Sequence, residues 1–340
     1  MSKQIRAYAL TKKGGKFERY DYDPGPLGAD RVEVAVQYCG ICHSDLSMAK
    51  NEWGMTAYPF VPGHEVIGKI TAVGDGVTTL KPGQTVGVGW YTGSCLHCRQ
   101  CLAGDQNLCQ TAEAAIVGHH GGFADRIRCQ ETWAIPLPAG VDAAKAGPLF
   151  CGGITVFNPL VQFDIRPTDR VGVIGIGGLG HLALKFLRAW GCEVVAFSSS
   201  ESKRDEILKL GAHRILDSRN DSQLKGARGS LDLILNTTDA GLNWPLYVEC
   251  LAPRGRLHTV GAIPEPISLA AFPLIVGQKS LSGSPLGSPL NTTKMLDFCA
   301  RHKIEPITET FPLSKINEAF AHLEAGKARY RIVLSNDLPA

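Results

Sequence analysis

The sequence predicts an α/β protein that combines a β-rich domain with a doubly wound parallel sheet. Three observations lead to this prediction: the length of the chain, short strand-like runs in its first half, and a strand, a glycine turn and a helix in its second half. The chain has 340 residues, of which 44% are hydrophobic and 20% charged. This length suits two domains with separate cores, and the composition gives no indication of disorder.

The first half contains short apolar runs separated by glycine and proline. Residues 32–36, 68–73 and 85–88 have the sequences VEVAV, GKITAV and TVGV. Short strands between turn residues favour a barrel-like β domain, which we place at residues 1–150.

The pattern changes after Pro167. A strand-like run, a glycine turn and an apolar helical face up to Trp190 follow one another, and Gly191 is suited to end the helix. Further strand-like runs continue this alternation, which predicts a doubly wound parallel sheet at residues 151–289. Residues 290–340 follow a helix, strand, helix, strand pattern that by itself assigns them to neither domain.

Composition also indicates in which compartment the protein is expected and which partners are not expected. The first residues lack a signal-peptide pattern, and the longest apolar run is interrupted by glycines and charges, so we expect a cytoplasmic protein without a membrane span. The 11 cysteines suit free thiols or metal ligands in a reducing compartment. Lys and Arg number 35 against 32 Asp and Glu, which gives no reason to expect a nucleic-acid partner.

Four closely spaced cysteines lie in the segment GSCLHCRQCLAGDQNLC. Thiolates at C-x2-C-x2-C-x7-C spacing can complete a tetrahedral Zn²⁺ shell with no open position. The spacing therefore predicts a structural zinc lobe at residues 95–109, with the ligands Cys95, Cys98, Cys101 and Cys109. Unligated thiols and an iron–sulfur cluster are the alternatives, and no second cysteine run supports the cluster.

A second set of potential metal ligands is dispersed along the chain. It consists of Cys42 in CGICHSD, His64 in PGHEVIG and Cys151 in FCGGITV. Two cysteines and one histidine leave a fourth position open for water or substrate, as in catalytic zinc sites. Each of these residues taken singly is more often a core residue than a ligand.

The sequence GIGGLG at residues 175–180 follows a predicted strand and opens a predicted helix. In this context a G-x-G-x-x-G motif indicates a dinucleotide site, because glycines allow close approach of the backbone and the helix N-terminus attracts the pyrophosphate. The residues assigned to this contact are Gly175, Gly177, Gly178, Leu179 and Gly180.

The residues after the next predicted strand indicate which dinucleotide is bound. An NAD enzyme presents Asp or Glu there, whereas this chain has Ser198, Ser199 and Ser200, followed by Lys203. Hydroxyl groups and a cation suit the 2′-phosphate of NADP, which a carboxylate would repel. The sequence thus favours NADP(H), and an ordinary serine-rich surface loop is the alternative.

These motifs resemble those of a known family. Residues 63–68, with Gly74 and Val77, resemble the zinc alcohol dehydrogenase signature GHExxGxxxxxGxxV. Almost the whole chain is similar to zinc-dependent medium-chain alcohol dehydrogenases, above all to the cinnamyl-alcohol-dehydrogenase-like branch with its NADPH-dependent aldehyde reductases, through the segments CHSDLS, NEWG and CGGIT. The resemblance implies a GroES-like first domain, to which the C-terminal segment returns, and a Rossmann second domain.

The resemblance also implies roles for residues around the metal. Cys42, His64 and Cys151 would hold the catalytic zinc. Glu65 would lie near the metal or bind it in the resting state, and Ser44 would pass a proton to the product.

Further roles follow from the same resemblance. Asp45 would orient His64, although taken alone it is equally suited to cap a helix. The residues themselves, apart from the resemblance, suggest that Trp53 and Trp90 line an apolar pocket for aromatic or longer aliphatic aldehydes, with ordinary packing as the alternative. The nicotinamide half of the cofactor would lie along Thr155, Thr237, Gly261, Ser284 and Leu286.

We therefore predict a cytoplasmic, zinc-dependent and NADP(H)-linked alcohol dehydrogenase that mainly reduces aldehydes to primary alcohols. It would hold two zinc ions per chain, and the resemblance implies a homodimer. Ser47 stands where many relatives have the histidine that ends the proton relay, so the sequence assigns no outer base. The rival functions are a zinc-free quinone reductase of the same fold and a non-enzymatic zinc-ribbon interaction protein.

Overall fold

A computed structural model describes residues 4–338, and it divides into two compact units. The first unit runs up to Ile154 and continues with the described residues from Leu286 onwards, and the second spans Thr155–Pro285. The sequence predicts a first domain at residues 1–150, a second domain at 151–289 and a C-terminal segment at 290–340.

The first unit consists mainly of strands, whereas helices and strands alternate along the second. The strands are β1 Ile5–Ala9, β2 Glu18–Tyr22, β3 Arg31–Ile41, β4 Val66–Val73, β5 Thr85–Val88, β6 Tyr91–Gly93, β7 Glu113–Ala114, β8 Arg126–Gln130, β9 Ile135–Pro136, β10 Arg170–Ile174, β11 Glu193–Phe197, β12 Arg214–Leu216, β13 Leu231–Asn236, β14 Leu251–Thr259, β15 Ser280–Gly283, β16 Thr308–Pro312 and β17 Arg331–Ser335. The helices are α1 His43–Ala49, α2 Arg99–Leu102, α3 Ala143–Ala146, α4 Gly152–Gln162, α5 Gly180–Trp190, α6 Arg204–Leu210, α7 Asp221–Gly226, α8 Trp244–Cys250, α9 Ala271–Gly277, α10 Pro289–His302 and α11 Ile316–Glu324. Short 3₁₀ helices lie at Gln106–Leu108, Glu131–Trp133, Gly147–Phe150, Glu201–Lys203 and Leu313–Lys315.

The first unit is built around β3. Its main sheet has the strand order β16-β17-β3-β4-β5-β9, and β8 also pairs with β3. All pairs are antiparallel except β16 with β17. Val32 and Val34 point to the same face of β3 and are completely buried in the core that also contains Phe123.

The last strand belongs to the same sheet. β17 runs antiparallel to β3, with Ile332 opposite Ile41 and Ser335 opposite Tyr38. The C-terminal segment thereby brings Arg331, at the start of β17, into the interior of the first unit, where only 4% of the residue is exposed.

The second unit contains one parallel sheet of order β12-β11-β10-β13-β14-β15. The chain proceeds outwards from β10 on one side and from β13 on the other, so a topological switch point lies between these strands. Val173 and Ile174 are consecutive on β10 and point to opposite faces, and both are buried, as in a sheet covered on both faces. Together with the β-rich first unit, this sheet confirms the predicted fold class.

Helix α5 connects β10 to β11. Leu182, Ala183 and Phe186 are buried on one face of α5, and Gly191 ends the helix in a left-handed conformation with φ of 106°. None of the helices in residues 4–338 combines the length and the hydrophobicity that a membrane span requires.

Candidate active site

Four side chains with metal-ligating atoms converge in the first unit. One ligand atom each of Cys42, His64, Glu65 and Cys151 lies within 4.8 Å of the others, and all four residues are buried. The Cys42 and Cys151 sulfurs are 3.8 Å apart. Zn–S bonds of about 2.3 Å in a tetrahedral shell place two sulfurs about 3.8 Å apart, so this thiol pair has the spacing that zinc requires.

Asp45 fixes the local geometry of this cluster. Cys42 is the N-cap of α1, and its N–H donates to Asp45 Oδ2 at 2.9 Å. Asp45 Oδ1 accepts from the Gly63 N–H at 2.9 Å and lies 3.1 Å from His64 Nδ1. The carboxylate therefore caps the helix and also orients the histidine.

The imidazole of His64 is left with one unsatisfied atom. Because Asp45 only accepts, it places a proton on Nδ1, and Nε2 presents its lone pair. His64 Nε2 is buried and has no hydrogen-bond partner within residues 4–338. Buried polar atoms are rarely left unpaired, and a zinc ion shared with Cys42 and Cys151 would satisfy this one.

Glu65 forms a buried ion pair with Arg331 that no sequence motif indicates. Arg331 Nη2 donates to Glu65 Oε1, and burial raises the pKa of Glu65 to about 7, although the charge of Arg331 opposes this rise. Glu65 Oε2 has no partner within the described residues. A Cβ at position 40 would collide with this oxygen, so Gly40 leaves the space that the carboxylate occupies.

A hydroxyl group and two aromatic rings lie beside the cluster. Ser44 Oγ lies 3.7 Å from Cys42 Sγ. The Trp90 ring packs edge-on against His64 with 4.9 Å between centroids, and Trp53 lies 6.2 Å beyond Trp90. Trp53 is 38% exposed, so the two rings form an apolar row from the buried histidine to the surface.

The four cysteines of residues 95–109 also converge, and their ligand atoms lie within 4.8 Å of one another. Cys95 Sγ is 3.9 Å from Cys101 Sγ and 3.6 Å from Cys109 Sγ, which again brackets the sulfur spacing of a zinc shell. Burial raises the pKa of Cys101 to about 12, whereas the Cys95 N–H lowers that of Cys109 to about 6. Four sulfurs at this spacing would fit one tetrahedral metal ion.

The glycine motif lies in the second unit, at the carboxyl end of β10. Gly175 has φ of 84°, and Gly178 and Leu179 complete the turn before α5. A Cβ at Gly180 would collide with the Gly175 carbonyl oxygen, whereas the space around Gly177 is open. The turn therefore leaves room for a phosphate at the N-terminus of α5.

The loop of Ser198, Ser199 and Ser200, here called the serine loop, follows β11 at the same carboxyl edge. The Ser198 N–H donates to the Leu216 carbonyl at 3.0 Å, and the Ser200 N–H donates to Ser198 Oγ at 3.2 Å. Lys203 lies in the short 3₁₀ helix that follows. The serines and this cation thus follow the strand next to the glycine turn.

The residues assigned to the nicotinamide half lie on several elements. Thr237 Oγ1 donates to the Gly175 carbonyl at 2.6 Å, and Gly261 follows β14 where a Cβ would collide with the Thr238 carbonyl. Thr155 is buried in α4. Leu286 lines a small cavity of about 20 Å³ together with Trp90 in the first unit.

Ser284 is held by a histidine that no sequence motif marked. His258 is completely buried, and its Nε2 and Nδ1 each lie 2.9 Å from a serine hydroxyl, those of Ser284 and Ser282. Burial, assisted by the charge of Arg256, lowers the pKa of His258 to about 4. The neutral ring donates at one nitrogen and accepts at the other, so it links the two serines.

Comparison with known proteins gives matches along almost the whole chain. Residues 28–139 match the alcohol dehydrogenase GroES-like domain, and residues 178–301 match the zinc-binding dehydrogenase family. The chain is 56% identical over 332 residues to the aldehyde reductase AdhA of Synechocystis sp., with 98% of this chain and 99% of that protein covered.

Solved structures give the same result for the fold. A cinnamyl alcohol dehydrogenase of Sorghum bicolor, SbCAD4, matches with a TM-score of 0.93 and 37% identity, covering 98% of each chain. The CAD of Helicobacter pylori, solved in complex with NADP(H), matches with a TM-score of 0.90 and 32% identity, covering 98% of this chain and 99% of that one.

Proposed function

Because this chain belongs to the zinc-dependent medium-chain alcohol dehydrogenases, in their cinnamyl-alcohol-dehydrogenase-like branch, we propose that it transfers hydride between NADP(H) and an aldehyde–primary alcohol pair. The family acts on alcohols and aldehydes; the direction proposed here is mainly aldehyde reduction. The observation that carries the proposal is the convergence of Cys42, His64 and Cys151 with one unsatisfied ring nitrogen. Three such ligands leave the open position that a carbonyl substrate needs.

The residues around the metal have separate tasks in this proposal. When bound, Zn²⁺ supplies a Lewis acid that polarises the carbonyl oxygen, and the reduced nicotinamide supplies hydride. Asp45 keeps the His64 proton on Nδ1 and so directs Nε2 at the metal position. Glu65, paired with Arg331, places a carboxylate oxygen beside the same position.

Ser44 and the aromatic row complete the site for the substrate. The Ser44 hydroxyl next to Cys42 is proposed to deliver the proton that turns the reduced product into an alcohol. Trp90 and Trp53 form an apolar wall that excludes water and suits aromatic or medium-to-long aliphatic aldehydes.

The preference for NADP(H) is part of the proposal. It is supported by the serine loop with Lys203 at the end of β11, where a carboxylate would favour NAD. The related Helicobacter pylori protein was solved with NADP(H), which agrees with this preference.

The second zinc ion is assigned to the cysteines of residues 95–109. All 11 cysteines are free of disulfide bonds, which fits a reducing compartment such as the cytoplasm.

We further propose that two copies associate through the edge of the second unit's sheet. β15 is an edge strand, and the neighbouring helix α9 exposes Phe272, Ile275 and Val276 by 70% or more. Leu281 on β15 is also exposed. An edge strand presents unpaired backbone groups to which the same strand of a second copy can bind across a two-fold axis. Such a pairing would cover this apolar patch.

The proposal is tested with the purified protein, a panel of aromatic and aliphatic aldehydes, both reduced cofactors and metal analysis. We expect about two zinc ions per chain and faster aldehyde reduction with NADPH than with NADH. Quinone reduction by a zinc-free protein would favour the quinone reductase instead. Bound zinc without any affinity for a nicotinamide cofactor would favour the interaction protein.

A further inference from the structure

The serine loop has a cationic neighbour that the sequence motif does not include. β11 and β12 are parallel neighbours, with Phe197 opposite Leu216, so the segments after them leave the same carboxyl edge of the sheet. Two backbone hydrogen bonds join these segments, from the Ser198 N–H to the Leu216 carbonyl and from the Ser218 N–H to the Ser198 carbonyl. Arg219 therefore lies beside the serine loop, although 20 residues separate it from Ser199 along the chain.

The guanidinium of Arg219 is held against the loop. Its Nη2 donates to the Ser199 carbonyl at 2.6 Å, and its Nε lies 3.5 Å from Asp217 Oδ1. A guanidinium carries five N–H donors in a planar fork, so these two contacts leave donors for a ligand. The side chain is 71% exposed, which makes these donors accessible.

We propose that Arg219 binds the 2′-phosphate of NADP(H) and determines the preference for this cofactor. The inference rests on the proposed function, which places the adenosine ribose at the carboxyl end of β11. The arginine fork matches two phosphate oxygens at once. Its bond to the Ser199 carbonyl positions the fork before the cofactor arrives, whereas a lysine such as Lys203 offers only a point charge.

The charges around the loop explain why this arginine is needed. Near the serine loop, the positive charges of Lys203 and Arg204 are matched by the negative charges of Glu201 and Asp217. Without Arg219, these neighbours of the loop have no excess of positive charge. The carboxylate of Asp217 accepts from the Arg219 backbone N–H at 3.0 Å and faces its Nε. Removal of the guanidinium would leave Asp217 uncompensated next to the phosphate, which weakens NADP(H) binding and leaves NAD(H) largely unaffected.

The test measures binding of NADP⁺ and NAD⁺ to the zinc-loaded protein by titration calorimetry. The variants are Arg219→Ala, Arg219→Lys and the control Arg228→Ala, which removes the same charge between α7 and β13, at the amino edge of the sheet. We expect Arg219→Ala to weaken NADP⁺ binding by roughly 10- to 100-fold, the value of one or more lost bonds to a charged group. The affinity of Arg219→Ala for NAD⁺ should stay within about threefold of the wild-type value. Arg219→Lys should bind NADP⁺ with an affinity between those of the wild type and Arg219→Ala, and Arg228→Ala should bind both cofactors like the wild type.

Two results would overturn the inference in different ways. In the first, the wild type prefers NADP⁺, and Arg219→Ala either keeps that preference or binds both cofactors equally more weakly. Arg219 then has no role in phosphate recognition, and the proposed function stands. If the wild type binds NAD⁺ as tightly as NADP⁺, the proposed cofactor preference itself is wrong, and the role of Arg219 falls with it.

Discussion

At the scale of single residues, the candidate site depends on side chains whose partners restrict them to one chemical state. The Asp45 carboxylate accepts hydrogen bonds from the cap of α1 and from Gly63, and faces His64 Nδ1. These contacts allow only one tautomer of His64, which aims Nε2 at the two thiols. In the second unit, burial keeps His258 neutral between Ser282 and Ser284.

Replacing Ser44 by alanine tests the proton transfer. The hydroxyl lies against Cys42 Sγ but is not a metal ligand, so Ser44→Ala should lower turnover by roughly 100-fold while zinc content stays at the wild-type level. Steady-state kinetics across pH and metal analysis check both expectations. Ser44→Thr retains the hydroxyl and should restore most of the rate, and an unchanged rate in Ser44→Ala at every pH would count against the relay.

The lowered pKa of His258 gives the stability of the protein a pH dependence. An unfolded histidine takes up a proton near pH 6.5, whereas the folded one does so only near pH 4, so the unfolded state binds more protons in between. The contribution of neutral His258 to the free energy of unfolding is therefore complete above pH 6.5. This contribution, of up to about 3 kcal/mol, is lost as pH falls towards 4.

Urea unfolding of His258→Gln and the wild type across this window measures the effect. The free energy of unfolding should fall less steeply with decreasing pH in the variant, and the two curves should run parallel above pH 6.5. Equal slopes between pH 6.5 and 4 would show that His258 is not kept neutral by the fold.

At the scale of elements, the segment of residues 95–109 is stabilised differently from the sheets. It contains only the four-residue helix α2 and a 3₁₀ turn, and its leucines are exposed: Leu96 by 41%, Leu102 by 76% and Leu108 by 49%. A segment that buries so little apolar surface needs another source of order. Its four sulfurs converge, and we propose that zinc held by them is that source.

The substitution Cys101→Ser tests this account. Loss of one ligand should reduce the metal content from about two zinc ions per chain to about one, and residues 95–109 should become sensitive to limited proteolysis. Cys192→Ser, in the second unit, serves as the control with a buried thiol outside both clusters. Resistance of the zinc-depleted lobe to proteolysis would mean that packing, and not metal, holds it.

At the scale of the whole molecule, the exposed apolar residues of α9 and β15 mark the proposed contact between two copies. A patch of this kind on a monomer would be a liability for solubility. An edge strand adds backbone groups that a second copy can bind.

The substitution Ile275→Glu places a charge in this patch. We expect light scattering after size exclusion to show a dimer for the wild type and a monomer for the variant, because burying an unpaired carboxylate in an apolar contact costs several kcal/mol. Leu208→Glu changes an exposed leucine on α6 of the same unit and should leave the dimer intact. A wild-type monomer, or a variant that stays dimeric, would exclude this contact.

The sequence by itself determined the features that depend on neighbours along the chain. The spacing of the four cysteines, the glycine turn before α5 and the serines after β11 are local patterns, because residues within one turn or loop are close in any fold. The alternation of strands and helices was likewise sufficient for the two-part architecture, since hydrophobic periodicity reports which face of an element is buried.

Only the tertiary structure decided which distant residues meet. Arg331 reaches Glu65 across 266 positions, and His258 reaches Ser284 across 26. Arg331 begins β17 and Glu65 precedes β4, and both of these strands pair with β3. Ser284 follows β15, which pairs with the strand of His258. A buried charge or imidazole has no local signature, because its cost is offset by a partner that the chain supplies from another strand. Local sequence patterns do not show which distant strands pair, and this pairing determines which of these residues meet.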